Sequence, residues 1–351
     1  VVASGTTNGQ AKIQGVEIPF PTEPPYILRI NSNQGTKDLT TGKAPILKFF
    51  STVVTEESFE SDGGLYATPL TTLATQMVIL FADSSEAPFM GNDDGLVTEE
   101  ELTTAAKIAG DRVKSTLGFG IGDDVNIFLT PPLIDASTVS SEAQLAAAAY
   151  RSAVEGMSAV IYQILAAAGD SGFTTDDVLT ELATDLADGQ IDALASGVAV
   201  RSYNAASLNL FDQDPATLPI PGDESGRTVG DVKELVIEET SDTGTDTDTS
   251  DFTSSEETVA LLPPTTDPDK DNDGVDNAAD AYPEDPSADS DTDGDGQPDI
   301  AYFAVDGKRT ADVDLSRSDE DDDNDGVLDD DDAFPLDREE YIDTDSDGIG
   351  N

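Results

Sequence analysis

The chain has 351 residues, enough for two or three domains, with 73 acidic against 17 basic residues and a formal net charge of −56. A field of that sign repels nucleic acid and anionic membrane surfaces and draws cations. With no Cys and no His, a thiol nucleophile, a Cys/His zinc site and a Ser-His-Asp triad are excluded by inventory.

Residues 1–70 read as β structure. Short apolar runs, Tyr26 to Ile30 and Ile46 to Phe50, are separated by turn formers at Asn31 to Gly35, Pro21 to Pro25 and Ser61 to Gly64. Several short strands at such spacing predict a small β-sandwich. Residues 71–236 read as a helical domain. Thr98 and Glu101 form a capping-box pattern. Leu102, Ala105, Ala106, Ala109, Val113 and Leu117 then recur at helical spacing. Ser141 opens a longer helix with Leu145, Ala149, Ala153, Met157, Val160, Ile161, Ile164 and Leu165 on one face. Thr175 caps a third, with Val178, Leu179, Leu182 and Leu186 inward and Gly189 as its C′ residue. Such stripes predict a core between packed helices rather than a cofactor site. Residues 237–266 have the Ser/Thr/Asp/Glu composition of a solvated linker.

Residues 267–351 hold 28 Asp and 4 Glu against five Lys or Arg. Spacing separates this segment from an ordinary acidic tail. Asp269, Asp271, Asp273 and Asp280 stand at positions 1, 3, 5 and 12 of a calcium loop, with Gly274 at 6 and the Val275 carbonyl at 7. Calcium takes six to eight oxygens, and alternating carboxylates wrap one ion as the chain curls. Glycine at position 6 permits the sharp turn that aims the next carbonyl inward. A second loop carries Asp291, Asp293, Asp295, Gln297 and Asp299; a third carries Asp321, Asp323, Asp325, Gly326, Val327 and Asp332. A fourth carries Asp343, Asp345, Asp347, Gly348 and Ile349, and the sequence ends at Asn351, its ninth position. Loops one and three are offset by 52 residues, as are two and four, so the pattern is an internal repeat. Ala281-Tyr282-Pro283 and Ala333-Phe334-Pro335 fall at equivalent places in the two copies. The expected cofactor is Ca2+, in roughly four or more copies.

The strings DKDNDGVDNAADAYPEDPSADSDTDGDGQPD and DDDNDGVLDDDDAFPLDREEYIDTDSDGIGN resemble thrombospondin type 3 repeats of bacterial cell-surface proteins. The resemblance covers about a quarter of the chain. It implies an irregular C-terminal region wrapped around calcium, with the named aspartates as ligands. Two departures stand out: residues 300–318 are an insertion with Ile300, Tyr302, Phe303 and Val305, suited to a short hairpin, and loops two and four lack an acid at position 12. Upstream, YATPLTTLA (66–74) and DLADGQIDAL (185–194) resemble secreted or lipid-anchored proteins of marine bacteria. That likeness implies an immunoglobulin-like domain followed by helices.

The expected fold is therefore multidomain: an immunoglobulin-like β-sandwich, a helical region, an acidic linker, and calcium-wrapped repeats. No enzyme is expected. Gly118, Gly120 and Gly122 follow a helix rather than a strand and make no dinucleotide fingerprint. Residues 92–101 fit an EF-hand loop except at position 1, where Met90 stands, so a turn and helix cap is the preferred reading. No apolar run reaches the roughly 18–20 residues of a membrane span. Val1 is followed by no basic n-region or apolar h-region, so no signal peptide is expected, as for a mature, processed chain. The function expected is an extracellular, cell-surface calcium-binding structural protein acting as a stiffened stalk or assembly component. A self-assembling filament subunit, with copies of itself as partners, and an adhesin that grips a surface glycan or protein are the alternatives.

Overall fold

The computed structural model describes residues 6–7, 25–38, 40–55, 65–85, 89, 91–122, 125–169, 172–195, 198–204, 207–242, 245–255, 261–265, 275, 281–282, 285–293, 296–305, 308–329, 332–336, 338 and 341–342. The chain divides into two compact units, Val1–Thr266 and Asp267–Asn351.

The first unit opens with β1 (Tyr26–Asn31) and β2 (Phe49–Val54), paired antiparallel from Tyr26↔Val54 to Asn31↔Phe49. Helix α1 (Pro69–Phe81) follows, with proline in its first turn and Thr68 and Thr71 closing a reciprocal capping box. Helix α2 (Glu99–Leu117) starts at the expected box: the Glu101 amide donates to Thr98 Oγ1 at 3.2 Å, and the Thr98 amide to Glu101 Oε2 at 2.8 Å. Its Ala105, Ala106, Ala109, Val113 and Leu117 are buried. Helix α3 (Ser141–Ala168) is central, with Ala147, Ala148 and Tyr150 buried as well as the face that periodicity picks out from Ala153 to Ile164. Gly156 belongs there because a Cβ would lie 3.0 Å from the Phe119 ring. Helix α4 (Thr175–Asp185) buries Val178, Leu179 and Leu182 and runs into a 3-10 turn ended by Gly189 at φ 99°. A two-residue ladder of β3 (Leu194–Ala195) and β4 (Val198–Ala199) precedes α5 (Val232–Asp242) and α6 (Ser250–Ser254).

Among the described residues, the expected immunoglobulin-like β-sandwich is absent. Among the described residues, β1 and β2 form a sheet of their own, and a helix rather than a second sheet covers it. The outer edge of β2 explains this. The Ser51 amide donates to Thr72 Oγ1 (2.9 Å), and Thr71 Oγ1 donates to the Ser51 carbonyl (2.8 Å). Threonines of α1 thus satisfy the groups that a third strand would pair. Alternation and turn formers mark strands, but they do not say whether the partner is a strand or a helix.

The 237–266 segment also differs from a solvated linker. Helix α6 buries Phe252 in the core, the buried Gln144 amide donates to the Asp248 carbonyl (2.9 Å), and Thr247 donates to the Asp135 carbonyl (2.9 Å). Composition averages over the segment and hides its one aromatic anchor.

In the second unit, the insertion forms a hairpin, β5 (Tyr302–Val305) and β6 (Lys308–Val313), paired antiparallel with an irregularity between Tyr302 and Ala304. These are the unit's strands among the described residues; the rest is turn and loop. Ala288 and Ala301 are fully buried, and the Tyr302 amide donates to the Ser287 carbonyl at 2.7 Å.

Candidate metal centre

The third loop places Asp321, Asp323 and Asp325 so that one carboxylate oxygen from each lies within 4.8 Å of the others. Like charges at that range repel, so something must hold them. Backbone amides do. Asp325 donates to Asp321 Oδ1 (3.2 Å) and Asp323 Oδ1 (3.0 Å), Gly326 to Asp321 Oδ2 (3.0 Å), and Val327 to Asp325 Oδ1 (2.7 Å). The curl depends on two left-handed residues, Asn324 at φ 57° and Gly326 at φ 97°. Asparagine and glycine are the residues that accept that backbone at least cost.

Asp323 is 3% exposed, and its Oδ2 has no hydrogen-bond partner. Asp332, the twelfth-position acid, likewise has a buried Oδ2 without one. Burial raises the Asp323 pKa first, and the charges of Asp325, Asp332 and Asp321 raise it further, against the Asp325 amide that lowers it. Positions 1, 3 and 5 therefore converge, and the charge of position 12 bears on them. The donors are all oxygen and all anionic, which suits a hard divalent cation and offers zinc no nitrogen or sulfur.

The second loop repeats the turn. The Gly296 amide donates to Asp291 Oδ2 at 3.1 Å, with φ 91° at Gly296. Asp299 accepts the Thr292 amide and hydroxyl, each at 2.8 Å. Asp293 and Gln297 are placed within this loop; Asp295 lies outside the described residues. Of the first loop, Val275 is described, while Asp269, Asp271, Asp273 and Asp280 lie outside. The fourth loop, with Asp343, Asp345, Asp347 and Ile349, lies wholly outside.

Three acids escaped the sequence reading: Asp319, Asp322 and Asp329. Asp329 stands at the ninth position of its loop as Asp299 does in its own, and that equivalence was the available signal. Asp322 sits between two ligand positions, where spacing rules predict an outward side chain; it is 9% exposed.

The 92–101 loop is a turn leading into a cap, as its residues predict. Met90 lies outside the described residues. Asp83, at the end of α1, receives the amides of Asp94 (3.1 Å) and Gly95 (2.9 Å), and the Glu101 carboxylate is engaged by Thr98. The two upstream strings are structural as well. Tyr66 donates to Asp135 Oδ2 (2.7 Å), Thr68 shares a hydrogen bond with Tyr150 (3.0 Å), and Asp185 anchors the turn after α4.

Comparison with protein-family models, with curated proteins and with solved structures finds no match for this chain. Among the described residues, no helix is long and apolar enough to cross a membrane.

Proposed function

We propose that this chain is an extracellular calcium-binding structural protein of a bacterial cell surface, whose C-terminal unit folds around calcium as thrombospondin type 3 repeats do. The buried, unpartnered Oδ2 of Asp323, in a residue grouped with Asp321 and Asp325, carries the reading. A buried carboxylate oxygen without a donor is costly. Calcium removes that cost: it supplies +2 among the three carboxylates and ties them together. Extracellular modules of this kind bind at about 10⁻⁴ to 10⁻³ M. Such sites are empty at cytosolic calcium and filled outside the cell. Without the ion, the segment's excess of acid drives it apart, since it has few core residues to oppose the repulsion. A stalk or assembly component stiffened by calcium follows from that coupling.

The test is calcium titration of the full chain by calorimetry, with small-angle scattering in calcium and in chelator. Chelator should expand the particle. Asp323→Ala and Asp325→Ala should each weaken one ion by about tenfold or more, equivalent to about 1.4 kcal/mol. Asp330→Ala, outside the ligand spacing, should leave affinity within about twofold, as an ordinary surface substitution does. Unchanged dimensions together with equal affinities in all three variants would sink the proposal.

A further inference from the structure

The small sheet of the first unit has one closed edge and one open edge. Helix α1 closes the edge of β2, where Thr72 accepts the Ser51 amide and Thr71 donates to the Ser51 carbonyl. The same contact fixes which groups of β1 face outward. Ser51 stands opposite Arg29. Because the Ser51 backbone points away from β1, the two residues form a non-hydrogen-bonded pair, and the Arg29 amide and carbonyl point away from β2. The Ser32 amide, which donates to the Lys48 carbonyl at 2.8 Å, fits that alternation. Ile27 and Asn31 share the outward set with Arg29. No described residue pairs with the backbone of Ile27 or Arg29 on that side.

An open edge is commonly guarded by a charged side chain. Arg29 is the one charge on either strand, and it does not stand guard. Its Nε donates to Asn31 Oδ1 at 3.1 Å, and its guanidinium lies 3.9 Å from the centre of the Phe49 ring on β2. The charge is thus drawn back over the sheet, away from the open edge. Along β1, Tyr26, Leu28 and Ile30 are half-buried, while Ile27, Arg29 and Asn31 are exposed.

We propose that β1 pairs antiparallel with β1 of a second copy of this chain, about a two-fold axis at Leu28. One sheet then runs across two molecules. An antiparallel edge can be its own complement, as an isologous contact requires. Centred on Leu28, the pairing sets Ile27 opposite Arg29 of the second copy. Both have outward groups, so each such pair exchanges two backbone hydrogen bonds. Leu28 meets Leu28 of the second copy, and Tyr26 meets Ile30, at the positions where side chains come closest. Centring on Arg29 would set like charges opposite each other. Charge also selects this edge. Copies of a chain with net charge −56 repel one another, and neither β1 nor β2 carries an acid. A contact this small makes a weak dimer rather than an obligate one. Calcium takes no part in it, so it stands or falls apart from the proposed function.

Sedimentation of the full chain over a concentration series, at high salt to screen the repulsion, should show a monomer–dimer equilibrium. Ile27→Pro removes an outward donor and spares the ladder with β2, which an edge strand tolerates. It should weaken the dimer by about tenfold or more, as the loss of one bond from each pair implies. Cross-linking reads the register, because the chain has no Cys of its own. In Leu28→Cys the two thiols face each other across the axis with Cα atoms about 4.5 Å apart. That is within disulfide range, so oxidation should give a covalent dimer. Ile27→Cys sits at a more exposed position, 41% against a half-buried Leu28. It should nonetheless give little, since its mate lies diagonally at about 7–8 Å. A chain that stays monomeric would overturn the proposal and leave the edge to a different strand. So would unchanged affinity in Ile27→Pro, or cross-linking that favours Ile27→Cys over Leu28→Cys.

Discussion

The amide of Gly326 reaches Asp321 Oδ2 at 3.0 Å. With the Asp325 amide on Oδ1, it holds the first carboxylate of the third loop toward the other two. Gly326 makes it at φ 97°, and an added Cβ would meet no atom within 4 Å. The cost of a side chain here is therefore backbone strain alone, roughly 1–2 kcal/mol in the left-handed region. Gly326→Ala should weaken calcium binding at this loop by about 5- to 30-fold. Gly326→Asn should lose less, because asparagine tolerates that region. Calorimetric titration reads both. Equal affinity in Gly326→Ala would show that Asp321 is oriented by something other than this turn.

Arg151 organises a buried charge network in the first unit. Its guanidinium donates to Glu239 through both terminal nitrogens, at 2.6 and 2.8 Å, to Glu155 at 2.9 Å and to Thr40 at 2.7 Å. It thereby joins α3 to α5 and to the turn before β2. Glu155 and Glu239 are 8% and 6% exposed. Removing the cation leaves two buried carboxylates facing each other, so Arg151→Ala should cost about 3–5 kcal/mol. Arg151→Lys should recover little of it, since a single ammonium cannot match the bidentate fork. Thermal or denaturant unfolding measures this. A loss under about 1 kcal/mol in Arg151→Ala, the scale of an exposed pair, would show that water reaches the network.

Helix positions were legible because their signals are local. Thr98 with Glu101, and the spacing from Val178 to Leu182, specify a cap and a face without reference to the rest of the chain. The acidic triad was legible for the same reason: the acids at 321, 323 and 325 and the glycine at 326 lie in one short string. The pairing of β2 was not. Ser51 ends on Thr71 and Thr72 of a helix, and nothing in a strand's own alternation states that. Asp322 was illegible for a subtler reason. It is buried although it stands between two ligand positions, and spacing along the chain cannot show what covers a side chain.

Phe252 gives the first unit an anchor that owes nothing to calcium. The ring is 1% exposed, and Lys233 Nζ lies 5.0 Å from its centroid while donating to the Ser255 carbonyl at 2.7 Å. Phe252→Ala should cost about 3–5 kcal/mol, the range for emptying a buried aromatic site. The loss should be equal in calcium and in chelator, and helical circular dichroism of the unsubstituted chain should survive chelation. Helical signal that collapses with chelator would show that the first unit depends on the ions after all.

Asp185 sets a pH dependence with a definite sign. Its carboxylate accepts the amides of Ala193 (3.1 Å) and Leu194 (3.0 Å) and the Tyr203 hydroxyl (2.6 Å), and it is fully buried. Burial raises its pKa, and the hydrogen bonds from Tyr203 and Ala193 lower it; burial prevails, leaving it at about 6. The ordinary value for an aspartate is about 3.9. Between those values the folded chain holds a proton that the unfolded chain has released. Stability from this group should therefore fall as pH rises from about 4 to about 6, and level off above that. Asp223 works the other way. Burial pushes it up, but hydrogen bonds from Arg227 and Ser225 outweigh this and hold it at about 2. Its contribution is complete above about pH 4 and is lost as pH falls toward 2. The two windows barely overlap, so these two groups together contribute a rise, a maximum near pH 4 and a decline to helical unfolding followed across pH 2–7. Asp185→Asn starts from lower stability, because one amide oxygen replaces two acceptors, and it should lack the decline. Chemical-shift titration of the Asp185 carboxyl gives the direct reading. A midpoint near 6 supports this account, and one below 4 would mean that its hydrogen-bond donors outweigh burial.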